Sequence, residues 1–151
     1  MKALGRQAKA ASRALARLSA VDKNECLVAM AEALHSETHR IQKANAADLS
    51  AATQGGLTKA MLERLALDER RIGAMARGLR DVAALPDPVG RVLEERIRPN
   101  GLRLRKVSVP IGVIVIIYES RPNVTADAAG LCFKSGNAVI LRGGKEALGT
   151  N

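Results

Sequence analysis

Tryptophan is absent, and the aromatic residues are a single tyrosine and a single phenylalanine, Tyr118 and Phe133. A core must therefore be built from Ala, Leu, Ile and Val. A nucleic-acid surface that works by stacking bases on aromatic rings is excluded on the same ground. Only two cysteines occur, Cys26 and Cys132, far apart and in unlike surroundings. That excludes a disulfide framework and a clustered metal site, and it suits a reducing, cytoplasmic setting. No apolar run approaches the roughly 20 residues of a membrane span. The longest, Ile111 to Tyr118, has the length of a strand. Neither G-x-G-x-x-G nor G-x-x-x-x-G-K-[ST] is present, so neither standard phosphate fingerprint applies.

What is present is an ordinary soluble composition in 151 residues, with 47% hydrophobic and 26% charged residues and a formal net charge of +9. Such a balance fits an anionic small ligand, a nucleic-acid partner, or a region whose acidic counterpart lies elsewhere. The first 21 residues carry Lys2, Arg6, Lys9, Arg13 and Arg17 and no acid. Organellar transit peptides share that composition. Leu4, Ala8, Ala11, Leu15 and Leu18 recur at helical spacing opposite the cations, so the preferred reading is a helix with a basic solvent stripe.

The pattern stays helical to about residue 86. Ser19 and Asp22 form a capping-box variant before Leu27, Met30, Ala31 and Leu34, predicting a helix over about 21–35. A second runs from about Thr38 to Ala52 and is broken by Gln54-Gly55-Gly56. Thr58 and Asp68 are expected to cap two more, the latter with Ile72, Met75, Leu79 and Val82 on its apolar face. Pro86 and Pro88 end this part. Arg91 to Ile97, the turn signal Pro99-Asn100-Gly101 and the stretch through Val109 read as a basic β-hairpin that needs a partner to pair with. Gly112 to Tyr118 is β-branched at nearly every position, as in a strand buried on both faces of a parallel sheet. A polar loop, a helix over about 125–135 closed by Gly136, and a second buried strand at Ala138 to Leu141 follow, with Glu146-Ala147-Leu148 opening another helix.

The fold class is therefore α/β: N-terminal helices (1–86), a β-hairpin (87–109), then the start of a Rossmann-like doubly wound parallel sheet (110–151). Two parallel strands cannot cover their own faces, so the chain is expected to be one part of a larger fold. Ligands of such sheets bind at the carboxyl ends of the strands. The first such loop offers Glu119, Ser120, Arg121 and Asn123, and the second offers Arg142, Gly143, Gly144 and Lys145. Two glycines between two cations allow a phosphate to approach the backbone. An ordinary strand-to-helix turn with solvated cations is an equal reading of the residues alone. Asn123 reads as a helix cap, or as an amide aimed at a developing oxyanion. His35 and His39 could share a helix face, but H-S-E-T-H is not a zinc motif, and solvent-facing histidines are expected. Cys132 and Cys26 both read as buried structural thiols.

The segment V-P-I-G-V-I-V-I-I-Y-E-S-R-P-N-V-T-A-D-A-A-G-L-C-F-K-S-G-N-A-V-I-L-R-G-G-K-E-A (109–147) resembles the glutamate-5-semialdehyde dehydrogenase (gamma-glutamyl phosphate reductase) family, within the aldehyde dehydrogenase superfamily. K-A-N-A-A-D-L at 43–49, A-M-L-E-R-L-A-L at 60–67 and D-P-V-G-R-V at 87–92 carry the likeness to the rest of the chain. The resemblance implies an incomplete aldehyde dehydrogenase-like fold from an oxidoreductase of proline biosynthesis. It implies reduction of L-glutamyl 5-phosphate to L-glutamate 5-semialdehyde with NADP(H), through a cysteine thioester whose cysteine lies outside these residues. By the same resemblance, Asn123 is the oxyanion-hole candidate, Arg142 meets the adenosine ribose or its phosphate, and Gly143, Gly144 and Lys145 extend that cofactor loop. Tyr118, Glu119, Ser120 and Arg121 line the passage from cofactor to substrate. The spacing before Asn123 departs from that of general aldehyde dehydrogenases. The hairpin resembles the family's oligomerisation strands, implying a homo-oligomer, with glutamate 5-kinase as a further candidate partner. No metal, nucleic-acid or membrane partner is implied. A competing reading, a basic nucleic-acid-binding or assembly module, rests on the charge and on Arg96, Arg98, Arg103, Arg105 and Lys106, and no DNA-binding motif supports it.

Overall fold

Local signals set most helix boundaries in the computed structural model, which describes residues 2–119 and 121–151. Helix α1 spans Lys2–Leu15. Helix α2, Ala20–Ser36, begins with a full capping box: Ser19 Oγ accepts from the Asp22 amide, and the Asp22 carboxylate accepts from the Ser19 amide. Helix α3 follows at Thr38–Gln54. Thr58 caps α4 (Lys59–Leu65) through the Met61 amide, and Asp68 caps α5 (Glu69–Ala84) through the Arg71 amide. Each cap satisfies a backbone donor that the first helical turn would otherwise leave open.

The core lies between α2 and α5. Leu27 and Ala31 of α2 pack on Ala76, Leu79 and Ala83 of α5, and Phe133 and Leu34 close over them. Leu67, Ile72 and Met75 form a neighbouring cluster with Ile41 and Ala126. A third joins Ala52 and Leu65 to Ala147. Helix α6, Pro122–Lys134, sits against α5, with Gly130 at the contact. A Cβ at Gly130 would stand 2.6 Å from Leu79 Cδ2, so a hydrogen there sets how closely α6 can approach. The helical part and the β-α-β unit thus share one core.

Strands β1 (Val92–Ile97) and β2 (Arg103–Val107) pair antiparallel, with a register shift between Val92 and Glu94. Gly101 closes the turn at positive φ, where a Cβ would be strained. Every residue of both strands is exposed. Strands β3 (Val113–Ile117) and β4 (Ala138–Arg142) pair parallel, with Val113 opposite Ala138 and Ile117 opposite Arg142. The α6 C-terminus is a Schellman motif. Gly136, at positive φ, donates to Phe133 O, and Asn137 donates to Cys132 O. Asn137 Oδ1 then accepts the Gly112 amide, tying the start of β3 to the start of β4.

Several expectations change. Burial of β3 on both faces is not met: Val115 is 61% and Ile117 70% exposed. Burial comes from neighbouring elements, and among the described residues β3 pairs with β4 alone. Cys26 is exposed while Cys132 is buried, so only the second is the interior thiol expected. Burial raises the Cys132 pKa. Helix α6 starts at Pro122, three residues earlier than expected, because proline's fixed φ suits the first helical position. Asn123 is therefore inside the helix and does not cap it. His35 and His39 fall on different helices and are both exposed. Of the first helix's expected stripe, Ala8 is buried, while Leu4 and Ala11 stay exposed beside β4 and Leu18 lies beyond the helix end. The helix expected from Glu146 is a 3-10 turn at Lys145–Ala147.

Candidate functional site

The carboxyl ends of β3 and β4 face a cleft of about 530 Å³. Tyr118, Arg142, Gly143, Gly144 and Lys145 line it, together with Asn151. Five of the residues singled out in the sequence thus meet at one place. Arg142 and Lys145 are exposed and offer their charges to the cleft, while the two glycines between them are half-buried. A Cβ at either glycine would displace only the tip of a neighbouring side chain. A methyl group on Gly143 would overlap the Asn151 amide, and one on Gly144 would overlap the Glu146 carboxylate.

A chain of hydrogen bonds fixes the cleft walls. The Tyr118 amide donates to Arg142 O at 3.1 Å, extending the strand pairing past Ile117. Thr125 Oγ1 donates to Asn151 Oδ1 at 2.8 Å. A hydroxyl has one proton to give, so the 2.6 Å bond between Tyr118 and Thr125 is donated by the tyrosine. Behind the loop, Asp48 of α3 accepts from the Gly149 and Thr150 amides and from Thr150 Oγ1. Asn45, one helical turn earlier and 2% exposed, accepts the Leu67 amide and donates to Leu65 O and Thr150 Oγ1. Helix α3 therefore anchors the segment that closes the cleft.

The first loop divides its residues. Arg121 and Asn123 line a second cleft of about 430 Å³ whose other wall comes from α4 and α5, including Arg64, Arg71 and Met75. Asn123 Nδ2 donates to Asp127 Oδ2 at 3.2 Å. Glu119 is exposed, and its carbonyl accepts the Arg121 amide at 2.6 Å. Ser120 lies outside the described residues. The first turn of α6 therefore separates two clefts, with Thr125 toward one and Asn123 toward the other. Sequence reasoning passed over Thr125 and Asn151, and it passed over Arg64 and Arg71. Thr125 stands two residues after Asn123, a spacing that sends the two side chains to different helix faces. Nothing local marks the arginines, which arrive from helices some 50 residues upstream. Among the described residues no group of three or more His, Cys, Asp or Glu side chains could hold a metal ion. No helix there is long and apolar enough to cross a membrane.

No protein-family model matches the chain. Curated relatives do. A gamma-glutamyl phosphate reductase of Syntrophomonas wolfei is 61% identical over 147 residues, spanning 97% of this chain and 35% of the relative. One of Geotalea daltonii is 58% identical over 151 residues, or 100% of this chain and 36% of the relative. The crystal structure of gamma-glutamyl phosphate reductase from Thermotoga maritima superposes with a TM-score of 0.94 at 40% identity, over 97% of this chain and 35% of that one. In sequence and in fold, the chain matches the N-terminal region of gamma-glutamyl phosphate reductases. The Saccharomyces cerevisiae gamma-glutamyl phosphate reductase, at a TM-score of 0.92 and 40% identity, shares the same arrangement over 96% of the chain. The chain spans about a third of the length of the gamma-glutamyl phosphate reductases it matches. The first α/β expectation is thereby met, hairpin included.

Proposed function

We propose that the chain forms the N-terminal region of an NADPH-dependent oxidoreductase of proline biosynthesis that reduces L-glutamyl 5-phosphate to L-glutamate 5-semialdehyde. The observation that carries this reading is the 61% identity over 97% of the chain to a relative of that name. The cleft at the ends of β3 and β4 supports it. At about 530 Å³ it is in the size range of cofactor sites, and it presents two cations flanking two glycines. Those residues fit the phosphate and ribose end of NADP. When bound, that cofactor supplies or accepts the hydride. Gly143 and Gly144 would let a phosphate reach the backbone, Arg142 and Lys145 would supply charge, and the segment Tyr118-Glu119-Ser120-Arg121 would line the passage toward substrate.

Asn123 is the oxyanion donor in this reading. Its amide is exposed in the second cleft and held by one carboxylate, so it is oriented by Asp127 and can still donate outward. The attacking thiol is neither cysteine of this chain. Cys132 is buried with a pKa raised by burial, the opposite of an activated thiolate. Cys26 lies on α2 and lines neither cleft. The segments divide as a helical part of the cofactor domain (1–86), an oligomerisation hairpin (87–109) and the first β-α-β of the NADP-binding domain (110–151). The exposed hairpin would pair with a second copy of the chain in a cytoplasmic homo-oligomer, and glutamate 5-kinase is a further partner.

The nucleic-acid reading loses ground to the hairpin's own ion pairs. Glu95 pairs with Arg105 at 3.0 Å and with Arg103 at 3.4 Å, and Glu94 pairs with Arg96. Half-neutralised cations without aromatics make a poor backbone-binding ribbon. The test is Arg142→Ala in a full-length reductase carrying this region, assayed by oxidation of the semialdehyde with NADP and phosphate. Losing a charge-assisted hydrogen bond to phosphate should raise the KM for NADP roughly tenfold or more while kcat changes little. An unchanged KM sinks the cofactor assignment.

A further inference from the structure

We infer that the second cleft, between α4, α5 and the start of α6, binds a phosphate group. Three guanidiniums, Arg64, Arg71 and Arg121, line it against one carboxylate, Asp127, which is engaged by the Asn123 amide. Arg64 and Arg121 come from exposed positions in unrelated parts of the chain, and the fold brings them to one concavity. Like charges gathered around a hollow repel one another, and an anion between them removes that repulsion. Arg71 is the fixed member. Its Nη1 donates to Glu63 O at 2.7 Å and also to Ala66 O, holding the guanidinium at the end of α4. An arginine held in place loses less side-chain freedom when it takes up a phosphate oxygen. The basic stripe of α1 carries as many cations, but they point from a single convex helix face and enclose nothing. Charge alone therefore does not single out this cleft; its concavity and the anchored Arg71 do.

Asn123 places the cleft beside the reacting group. Binding of phosphate stands apart from the reductase reading, whereas its identity as the substrate's phosphate rests on that reading. In an acyl phosphate the phosphate is bonded directly to the acyl group whose oxygen Asn123 would hold. A phosphate beside Asn123 is where that group would sit, and where inorganic phosphate would wait in the reverse direction.

The experiment titrates inorganic phosphate into the 151-residue chain at low ionic strength and follows binding by calorimetry. Arg64→Gln with Arg121→Gln is compared with Arg6→Gln with Arg13→Gln, which removes equal charge from α1. All four side chains are exposed, and circular dichroism verifies that each variant stays folded. The cleft pair should weaken binding more than about tenfold, and the α1 pair less than about twofold. Equal weakening by both pairs, or no saturable binding by the folded chain, overturns the inference. L-Glutamate that displaces phosphate at equal concentration also overturns it, because the occupant is then a carboxylate. In a full-length reductase Arg64→Gln alone should raise the KM for inorganic phosphate in semialdehyde oxidation and leave that for NADP unchanged. A wild-type enzyme without activity refutes the proposed reaction alone, while an active one whose phosphate KM ignores the substitution refutes the phosphate site alone.

Discussion

Replacing Lys23 by Met should destabilise the chain by about 2–3 kcal/mol at neutral pH. The lysine is 1% exposed, and its Nζ lies 2.5 Å from Asp87 Oδ2 and 3.3 Å from Lys134 O. Met fills much of the same volume, so little of the effect is a cavity. The larger part is the Asp87 carboxylate left without its cation. Breaking a fully buried pair typically costs about 3–5 kcal/mol. Asp87 keeps 16% of its side-chain exposure and still accepts the Val89 amide at 2.9 Å, which moves the expectation below that range. Burial pushes the Asp87 pKa up. The Lys23 hydrogen bond, the Val89 amide and the charges of Lys23 and Lys134 together outweigh that, leaving it below its ordinary value of 3.8. A carboxyl whose folded pKa is depressed contributes stability that is present above 3.8 and lost as pH falls through the folded value. Urea unfolding followed by circular dichroism at pH 7 and pH 3 tests both parts. The variant's deficit should shrink at the lower pH, and Asp87→Asn added to Lys23→Met should recover part of it. A deficit below about 0.5 kcal/mol at pH 7, the size of an ordinary surface substitution, or one unchanged at pH 3, refutes the reasoning.

Asn45→Ala removes partners from the Leu67 amide and Leu65 carbonyl, and should cost about 2–4 kcal/mol in the same assay while amides 149 and 150 exchange faster with solvent. Protection at those amides equal to wild type contradicts the anchoring role. Gly130→Ala sets a helix-propensity gain of up to about 1 kcal/mol against overpacking of about 1–3 kcal/mol on Leu79. Net destabilisation is expected, and any stabilisation shows the contact gives way cheaply. A thiol reagent should modify Cys26 quickly in the folded chain and Cys132 only on unfolding. Equal rates would contradict the burial assignment.

The sequence was most informative where a few adjacent residues decide the outcome. Ser19, Thr58 and Asp68 mark helix starts because a cap is a bond between residues three apart. Pro99-Asn100-Gly101 marks the hairpin because its glycine must adopt positive φ. The loop Arg142 to Lys145 was readable because its strand, glycines and cations are contiguous. The failures concern what lies across the fold. Cys26 borders the apolar stripe of α2, but one step around a helix is 100° and takes the side chain into solvent. The β-branched run of β3 describes a strand that could be buried, and exposure at Val115 and Ile117 depends on neighbours that this stretch cannot reveal. The second cleft needs Arg64 and Arg71 to meet Arg121, a long-range event set by packing of α5 on α6.

The docking of α1 on β4 has a consequence in time. The strand on which the helix rests lies some 120 residues later in the chain, so it leaves the ribosome after the helix. At synthesis rates of about 5–20 residues per second, Leu4, Ala8 and Leu15 wait roughly 6–25 s for their surface to exist. The four cations on the helix's outer side, Lys2, Arg6, Lys9 and Arg13, hold it in solution meanwhile. The acid-free basic stripe of α1 thus keeps in solution a helix whose partner strand has not yet been made.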